Sequence, residues 1–344
     1  MTKGRQVVVK GPMDLELQDT EVDFEVGENE VLVKNRYTAI SPGTELSIYT
    51  GINPEVYQPN SWCNYPHIPG YVGLGEAVAV GSSVQGINVG DAVFHHSHHS
   101  EYDRVETRWF PCMKIDHKDM LPEVSLIRFA AIVMSGSIRL SKIELGDKIV
   151  LIGLGLIGQI GAQLFSLAGA DIHAFDPIAS RRRLAEQIGA VLDTHDPSTT
   201  NPKDFAQSLT EGRGVDTLLD ATGQSALLMT NIEVVRPLGQ VILLGAPFAA
   251  YEANLTKFLR QIFLKRLKVV GALELDRMTL PNEYVAHPYL FDVSYSLELI
   301  HRGKLKTKPL VSHVIAPSEF KVGYEGLLNK KDVFTAVVID WLKS

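Results

Sequence analysis

The stretch that decides the fold runs from Lys148 to Asp176 and reads KIVLIGLGLIGQIGAQLFSLAGADIHAFD. It begins with a continuous apolar run, which is typical of a strand buried on both faces of a parallel sheet. Three glycines, Gly153, Gly155 and Gly158, follow at the turn into a helix, and a second strand then ends at an acidic residue. A lone glycine triplet is weak evidence, but the whole unit predicts a dinucleotide-binding βαβ fold.

Each part of this unit has a predicted role in binding a dinucleotide. Gly153 allows the tight turn, Gly155 lets the backbone approach the pyrophosphate, and Gly158 lets the helix pack closely on the strand. Asp176 lies about 20 residues on, where a carboxylate accepts hydrogen bonds from the adenosine ribose and repels a 2′-phosphate, so NAD is favoured over NADP. Arg181, Arg182 and Arg183 are close enough in sequence to meet a phosphate, but a solvated helix face is their predicted use. The predicted cofactor-binding residues are Gly153, Gly155, Leu156, Ile157, Gly158, Asp176, Ala221 and Gly245.

The pattern on either side of this unit divides the chain into two domains. Three more apolar strands, VDTLLDATG, GQVILLGA and LKVVGAL, alternate with helical stretches, which predicts a doubly wound α/β domain over about 126–271. Residues 1–125 contain short valine-rich runs between Gly, Pro and Asn turns and are predicted to be β-rich. Residues 272–344 are predicted to rejoin that first part, which makes it a discontinuous domain.

Bulk composition excludes several classes of partner. The chain has 344 residues, 45% hydrophobic and 21% charged, which is typical of a globular protein long enough for two domains. The net charge of −7 comes with no basic stripe, so no nucleic acid partner is predicted. No secretory signal and no run of about 18 apolar residues is present, so no membrane span is expected and a cytoplasmic location is predicted. Two cysteines are too few for a disulfide framework.

Longer runs of sequence carry a resemblance to a known family. They are SPGTELSIYTG at 41–51, YPHIPGYVGLGEAVAVGSSVQGINVGDAV at 65–93, the glycine run at 146–158, and PLVSHVIAPSEFKVGYEGLLNKKDVFTAVVID at 309–340. With these motifs the chain resembles the zinc-type alcohol and polyol dehydrogenases of the medium-chain dehydrogenase/reductase superfamily. The resemblance implies a Rossmann domain together with a discontinuous GroES-like catalytic domain.

The zinc-ligand positions of that family are altered in this sequence. The family's Cys falls on Pro42, the His and Glu of its G-H-E motif fall on Tyr71 and Val72, and a further ligand aligns near Phe129 or Ala130. These residue types do not form a tetrahedral zinc site with an open position, so no metal is predicted there. In this respect the chain is similar to a zinc-lacking subgroup that includes bacteriochlorophyllide hydroxyethyl dehydrogenase.

The run HHSHHSEYD at 95–103 is the second unusual stretch. Imidazole is a common metal ligand, but one loop seldom directs four neighbouring side chains at one point, so a polar loop is predicted. In the family this loop borders the substrate cleft, and His95 and His98 are therefore predicted to bind substrate. A metal held by the four histidines stays an alternative; they are His95, His96, His98 and His99.

The resemblance also implies catalytic residues. Thr44 falls where relatives have a hydroxyl that hydrogen-bonds the substrate and passes on its proton. Glu45 is predicted either to support the loop or to act as a general base, and Tyr71 either to act as an acid or base or to fill the metal's volume. Ser47 replaces the relay histidine of many members, and with Tyr49 it is predicted to contact substrate.

Three functions are consistent with these residues and motifs. The leading one is a metal-independent, NAD-linked dehydrogenase that oxidises a secondary alcohol of a sugar, polyol or cyclitol. The second is a quinone or enone reductase, which usually uses NADPH and has no acid at the position of Asp176. The third is a non-catalytic, dinucleotide-binding redox sensor. Thr44 beside Glu45 weighs against the third function.

An edge strand predicts self-association. The apolar run LKVVGAL at 267–273 is the candidate edge of the Rossmann sheet, and an unpaired apolar edge is an aggregation liability. Relatives pair this edge, which implies a homodimer or a homotetramer.

Overall fold

The computed structural model describes residues 2–274 and 287–343. The strands are β1 (Thr2–Gly11), β2 (Asp14–Val22), β3 (Glu30–Ile40), β4 (Gly73–Val80), β5 (Ala92–His95), β6 (Tyr102–Glu106), β7 (Cys112–Lys114), β8 (Lys148–Ile152), β9 (Asp171–Phe175), β10 (Asp193–His195), β11 (Val215–Asp220), β12 (Val235–Leu243), β13 (Lys268–Gly271), β14 (Val311–Ile315) and β15 (Ala336–Asp340). The α-helices are α1 (Thr44–Thr50), α2 (Ile127–Val133), α3 (Leu156–Leu167), α4 (Ala179–Ile188), α5 (Pro202–Leu209), α6 (Ser225–Asn231), α7 (Leu255–Lys265), α8 (Tyr289–His301) and α9 (Phe320–Asn329).

The second half of the chain builds a parallel sheet. Its strands lie in the order β10-β9-β8-β11-β12-β13, and all neighbouring pairs are parallel. Helices connect successive strands, because parallel neighbours need a crossover. The central strands β8 and β11 are almost wholly buried, which explains their unbroken apolar sequence. The predicted Rossmann sheet is confirmed, with strand order reversing between β8 and β11.

The first half builds an antiparallel sheet that the end of the chain completes. The hairpin β1-β2 is followed by a sheet in the order β14-β15-β3-β4-β5-β7, and β6 also pairs with β3. The return is made by β15, which pairs antiparallel with β3 and buries every one of its five residues. The predicted β-rich, discontinuous GroES-like domain is therefore confirmed as a fold.

Contacts divide the described residues into two units with a boundary that differs from the sequence prediction. One unit comprises residues 2–128, 287–291 and 310–343, and the other comprises 129–274 and 292–309. The sequence pattern had predicted that the whole of 272–344 belongs to the first domain. Residues 292–309 instead group with the parallel sheet, since Arg139 Nη2 pairs with Asp292 Oδ1 at 2.7 Å and the Lys306 amide donates to Gln163 at 2.7 Å.

Among the residues that the structure describes, the predicted edge strand β13 lies at one edge of the parallel sheet and β10 lies at the other. Val269 in β13 and Leu273 just after it are exposed. Pairing of this edge with a second copy stays a prediction. In the described part of the chain no helix has the length and apolar character needed to cross a membrane.

Candidate functional site

The turn between β8 and α3 has the geometry that its glycines predict. Gly153 has φ +94°, and a Cβ there would lie 2.8 Å from Thr222 Cγ2. A Cβ on Gly158 would come closer than 3.0 Å to the carbonyl oxygen of Gly153, a backbone atom that cannot move aside. Around Gly155 the nearest atom to a Cβ is Arg181 Nη1 at 3.8 Å, so this backbone is open to a close ligand. The turn therefore packs tightly at Gly153 and Gly158, whereas the backbone at Gly155 is accessible to a ligand.

Two other predicted cofactor residues lie beside this turn. The amide of Ala221 donates to the Ile152 carbonyl, and its Cβ lies 3.4 Å from the position of a Cβ on Gly158. The amide of Gly245 donates to the Asp220 carbonyl at the end of the next strand. The structure thus brings these residues together at the carboxyl edge of the sheet, where the first turn of α3 carries Leu156 and Ile157.

Asp176 links the end of β9 to the glycine turn through hydrogen bonds. Its Oδ2 accepts a hydrogen bond from the Leu154 amide and its Oδ1 accepts one from the Ile178 amide, both at 2.8 Å. The side chain is buried, and the Arg181 guanidinium lies 3.9 Å from Oδ2. Each carboxylate oxygen has a second lone pair, so these bonds leave Asp176 able to accept from a ribose hydroxyl.

The three arginines after Asp176 do not share one solvated helix face. The Arg181 side chain is only 16% exposed, and Arg182 Nη1 donates to the Asp176 carbonyl at 2.6 Å while pairing with Asp196 at 3.2 Å. Only Arg183 is exposed. The prediction of a solvated face is wrong for the first two arginines, because the end of β9 provides a carboxylate and a carbonyl within their reach.

In the antiparallel unit the most connected site residue is Glu45, which lies in the first turn of α1. Its Oε1 accepts from the Ser41 amide at 2.9 Å, and its Oε2 accepts from His99 Nε2 at 2.8 Å and from the Tyr324 hydroxyl. The Glu45 side chain is buried. Burial together with the Glu45 charge raises the pKa of Tyr324 well above 10, so this phenol donates and does not act as a base.

The same network continues on the other side of His99. His99 Nδ1 lies 2.9 Å from Thr38 Oγ1, and Trp341 Nε1 donates to that oxygen at 3.0 Å. The four side chains joined by these hydrogen bonds are all buried; they are Trp341, Thr38, His99 and Glu45. The network ties the loop before α1 to strand β3 and to the residue that follows β15, and this geometry fits the supporting role that is one of the two predicted for Glu45.

The four histidines of the 95–103 run face different partners. His95 is fully buried with Nε2 2.8 Å from Asn35 Oδ1, and burial lowers its pKa to about 4. His98 is half-exposed and its Nδ1 lies 3.0 Å from Asp103 Oδ1; burial lowers its pKa, but the Asp103 bond and charge outweigh this and raise it overall. Across residues 2–274 and 287–343 no three His, Cys, Asp or Glu side chains are placed to hold a metal ion.

The predicted substrate contacts Ser47 and Tyr49 are packed inside the unit. Ser47 Oγ donates to the Thr44 carbonyl at 2.7 Å, and the Tyr49 ring packs edge-on against Tyr324 at 5.5 Å between centroids. Both side chains are about 2% exposed. Positions 47 and 49 of this short helix face the core, while Thr44 at its start is only half-buried, so contact of Ser47 and Tyr49 with substrate stays a prediction.

The residues at the family's zinc positions do not fit the metal. Tyr71 Oη donates to Ser41 Oγ at 2.6 Å, which joins it to the residue beside Pro42. Val72 is fully buried, as are Phe129 and Ala130, and their side chains have no ligand atom. Zinc requires nitrogen, sulfur or carboxylate ligands, so no step through zinc is derived for this chain.

A buried arginine lies beside these positions and was not predicted from the sequence. Arg128 is 3% exposed, and its guanidinium carbon lies 5.3 Å from the ring centroid of Tyr71 and 5.0 Å from that of Tyr289. The sequence contained one signal for it, a single charge inside the apolar helical run VSLIRFAAIV. The sequence also did not predict the contacts that His96, His99 and Tyr324 make, because no local pattern distinguishes these residues.

The sequence matches two families of known proteins. Residues 27–110 match the alcohol dehydrogenase GroES-like domain, and residues 157–287 match the family described as zinc-binding dehydrogenase. The chain is 26% identical to L-threonine 3-dehydrogenase of Thermococcus kodakarensis, with 91% of each chain covered. It is 25% identical to 2-desacetyl-2-hydroxyethyl bacteriochlorophyllide A dehydrogenase of Cereibacter sphaeroides (97% of each chain), and 23% identical to 2-dehydro-3-deoxy-L-galactonate 5-dehydrogenase of Pseudoalteromonas atlantica (79% of this chain, 80% of the relative).

Solved structures share the fold over nearly the whole chain. Benzyl alcohol dehydrogenase of Acinetobacter calcoaceticus superposes with a TM-score of 0.80 at 20% identity, covering 99% of each chain. A Sinorhizobium meliloti protein described as a putative zinc-binding dehydrogenase bound to NADP gives 0.78 at 19% identity, with 99% of this chain and 100% of that one covered. An Escherichia coli alcohol dehydrogenase complexed with NADH gives 0.80 at 16% identity, covering 99% and 100%. At these identities the likeness supports the fold alone.

Proposed function

Because the chain belongs to the medium-chain dehydrogenase/reductase superfamily, we propose that it is a metal-independent, NAD-linked dehydrogenase that oxidises a secondary alcohol. The proposed substrate is a hydroxylated small molecule such as a sugar, polyol or cyclitol. The dehydrogenases named among its relatives, for threonine, for a deoxygalactonate and for a hydroxyethyl bacteriochlorophyllide, support an oxidoreductase of this type.

The observation that carries the proposal is the position of Asp176 against the glycine turn. A carboxylate bonded to the Leu154 amide lies where the second strand of a Rossmann unit meets the ribose. It accepts from ribose hydroxyls and opposes a 2′-phosphate by charge. The glycine turn and the start of α3 supply amides and the positive end of the helix dipole for the pyrophosphate.

The reaction transfers a hydride and releases a proton. NAD, held by the glycine turn and Asp176, would supply the acceptor for the hydride that leaves the alcohol carbon with the electron pair of the C–H bond. The O–H bond breaks, the carbon–oxygen bond becomes a carbonyl, and the proton leaves through a base or hydroxyl relay. Thr44, at the start of α1, is the proposed contact to the substrate hydroxyl. Glu45 holds that loop in place.

The test uses chelator-treated protein whose metal content has been assayed. Reduction of NAD or NADP is monitored by the absorbance of the NADH or NADPH formed. Sugars, polyols and cyclitols are offered as reductants, and quinones and enones are offered with NADH or NADPH. Oxidation of an alcohol with NAD in the metal-free protein is the expected result. Activity only after zinc is restored contradicts metal independence, and reduction of enones alone identifies the reductase.

Asp176→Ala is expected to raise KM for NAD by roughly 10- to 100-fold, since a hydrogen bond to a charged group is worth about 1.5–3 kcal/mol. The same change is expected to improve the use of NADP, because the repelling carboxylate is removed while Arg181 stays beside the site. KM and kcat for both cofactors are measured. Asp196→Ala, which removes the carboxylate paired with Arg182, is the matched control; unchanged cofactor preference in Asp176→Ala contradicts ribose recognition by Asp176.

Thr44→Val is expected to lower kcat by about 10²- to 10³-fold while the Kd for NADH is unchanged, because the variant removes a donor used at the reacting oxygen. Stopped-flow hydride transfer and NADH fluorescence titration separate the two quantities. Thr50→Val on the same helix is the control, since within the described part of the chain Thr50 Oγ1 donates to backbone carbonyls of α1. Full turnover in Thr44→Val places the proton transfer on another residue.

A further inference from the structure

One buried side chain, that of Gln159, connects the glycine turn to the helix that follows β9. Gln159 lies in α3 and is 1% exposed. Its Nε2 donates to the Arg181 carbonyl at 2.8 Å and to the Leu154 carbonyl at 3.3 Å. Leu154 belongs to the turn and Arg181 to α4, and all three residues belong to the parallel-sheet unit. Gln159 therefore bridges the turn and the start of α4.

The amide of Gln159 is buried at a cost in stability. Two carbonyl oxygens accept hydrogen bonds from its nitrogen, and this fixes the orientation of the amide. Its Oε1 is buried and has no hydrogen-bond partner among the described residues, and a buried acceptor without a donor is unfavourable. A methionine of similar size would avoid this cost. The two hydrogen bonds that the nitrogen donates are what a glutamine provides here and a methionine does not.

Leu154 is the residue at which Gln159 and Asp176 meet. The Leu154 amide donates to Asp176 Oδ2 at 2.8 Å, and the Leu154 carbonyl accepts from Gln159. The Arg181 guanidinium lies 3.9 Å from the same Asp176 oxygen, and the Arg181 carbonyl accepts the other bond from Gln159. These contacts close a ring of four residues, in which the distance between the turn and α4 is held by Gln159.

The ring lies where a Rossmann unit distinguishes its cofactors. In such units the acid that ends the second strand accepts from the adenosine ribose, and a nearby arginine accommodates a 2′-phosphate. Arg181 Nη1 is also the nearest atom to a Cβ placed on Gly155, at 3.8 Å, so the guanidinium lies beside the backbone that is open to a ligand. Small displacements of Asp176 or Arg181 change cofactor preference, because hydrogen bonds weaken steeply as their geometry departs from the optimum.

We propose that Gln159 is a positioning residue for cofactor choice, which holds Asp176 and Arg181 at the spacing that favours NAD over NADP. This inference rests on the proposed recognition of the ribose by Asp176. Without the two bonds from Gln159, the turn and the start of α4 are free to separate, and Asp176 loses its fixed position. NADH then loses hydrogen bonds to the carboxylate, whereas NADPH, which the carboxylate repels, loses less.

The test compares Gln159→Met with Gln163→Met, a matched control one turn further along α3. Gln163 is also buried. Its Nε2 donates to the Gln159 and Lys306 carbonyls at 3.4 and 3.3 Å, and its Oε1 accepts from the Lys306 amide at 2.7 Å. The control therefore removes a buried amide with a similar set of bonds, none of them to the glycine turn or to α4. Fluorescence titration gives the Kd for NADH and for NADPH in each protein.

The quantity measured is the ratio of the two dissociation constants. In Gln159→Met the preference for NADH over NADPH is expected to fall about 10-fold, mainly through a higher Kd for NADH, a change within the range that one or two hydrogen bonds contribute. Gln163→Met is expected to keep the wild-type ratio even where its stability is lower. A role in stability alone changes both constants together and leaves their ratio unchanged.

Several outcomes overturn the proposal. They are a wild type that binds NADPH as tightly as NADH, an unchanged ratio in Gln159→Met, and an equal fall of the ratio in Gln163→Met. If Gln159→Met does not fold, folded Gln159→Asn decides, since its amide is one methylene group shorter and does not reach both carbonyls: a lower ratio supports the proposal, and a wild-type ratio contradicts it. Absence of alcohol turnover with a ratio that depends on Gln159 refutes the proposed function and not this inference.

Discussion

Glu45→Ala is expected to lower the free energy of unfolding of the antiparallel unit by about 3–5 kcal/mol, because each buried donor left without its acceptor costs about 1–3 kcal/mol. The variant leaves three donors buried without their acceptor: the Ser41 amide, His99 Nε2 and the Tyr324 hydroxyl. Urea unfolding, monitored by tryptophan emission, measures this loss of stability in the antiparallel unit. All three tryptophans belong to it, and they are Trp62, Trp109 and Trp341.

The control is a surface ion pair in the same unit. Glu16 pairs with Lys10 at 3.0 Å, and both side chains are close to half exposed, so Glu16→Ala is expected to leave the stability nearly unchanged. In the double variant Glu45→Ala/His99→Ala the loss is expected to be smaller than the sum of the single losses, because the residues share one interaction. A loss in Glu45→Ala no larger than that in Glu16→Ala contradicts the network.

Glu45→Gln separates support of the loop from general-base catalysis. The amide oxygen still accepts hydrogen bonds but takes up no proton at neutral pH. If Glu45 only supports the loop, kcat in folded Glu45→Gln is expected to stay within about tenfold of wild type. A loss of about 10²-fold or more, with the fold intact, makes Glu45 the base.

Gly158→Ala is expected to weaken NADH binding by on the order of 100-fold, about 2.7 kcal/mol, and to destabilise the parallel-sheet unit by about 1–3 kcal/mol. The added methyl group meets the Gly153 carbonyl oxygen, so either the helix or the turn must move. NADH fluorescence titration measures binding, and hydrogen exchange of β8 and α3 measures local stability, since this unit contains no tryptophan among its residues.

Two neighbouring glycines provide matched controls. Gly155→Ala meets only Arg181 Nη1 at 3.8 Å, so the fold is expected to be kept while the methyl group obstructs the pyrophosphate. Gly161→Ala meets the end of the flexible Leu244 side chain at 3.3 Å and is expected to keep both fold and binding. Equal NADH affinity in Gly158→Ala and Gly161→Ala shows that the close approach at the turn is not needed.

The nucleotide-binding half of the site was predictable because its signals are local. Gly153, Gly155 and Gly158 are set by backbone geometry at one turn, and Asp176 ends the strand that follows. The parallel order of the strands follows from apolar runs separated by helices, which only a crossover connection accommodates. The same local logic failed for Arg181 and Arg182, whose partners come from the end of β9 and from Asp196.

The catalytic half was predictable only in part. A resemblance between motifs located Thr44, Glu45 and Tyr71, but it did not assign Glu45 its role, because the role depends on His99 and Tyr324, 54 and 279 residues away. The same resemblance placed Ser47 and Tyr49 towards substrate, whereas a seven-residue helix packed on a core turns them inward.

The sequence by itself determined the parallel sheet, its glycine turn and the β-rich unit, since strand burial, glycine backbone freedom and turn residues act within a few positions along the chain. Tertiary structure alone decided the contacts of the histidines in the HHSHHSEYD stretch: one is buried against Asn35, one packs on the Tyr289 ring, one pairs with Asp103 and one bonds to Glu45. Neighbouring side chains in this segment point in different directions, and their partners come from β3, β6, α1 and α8. Chemical roles set by such long-range contacts are not encoded in any local pattern.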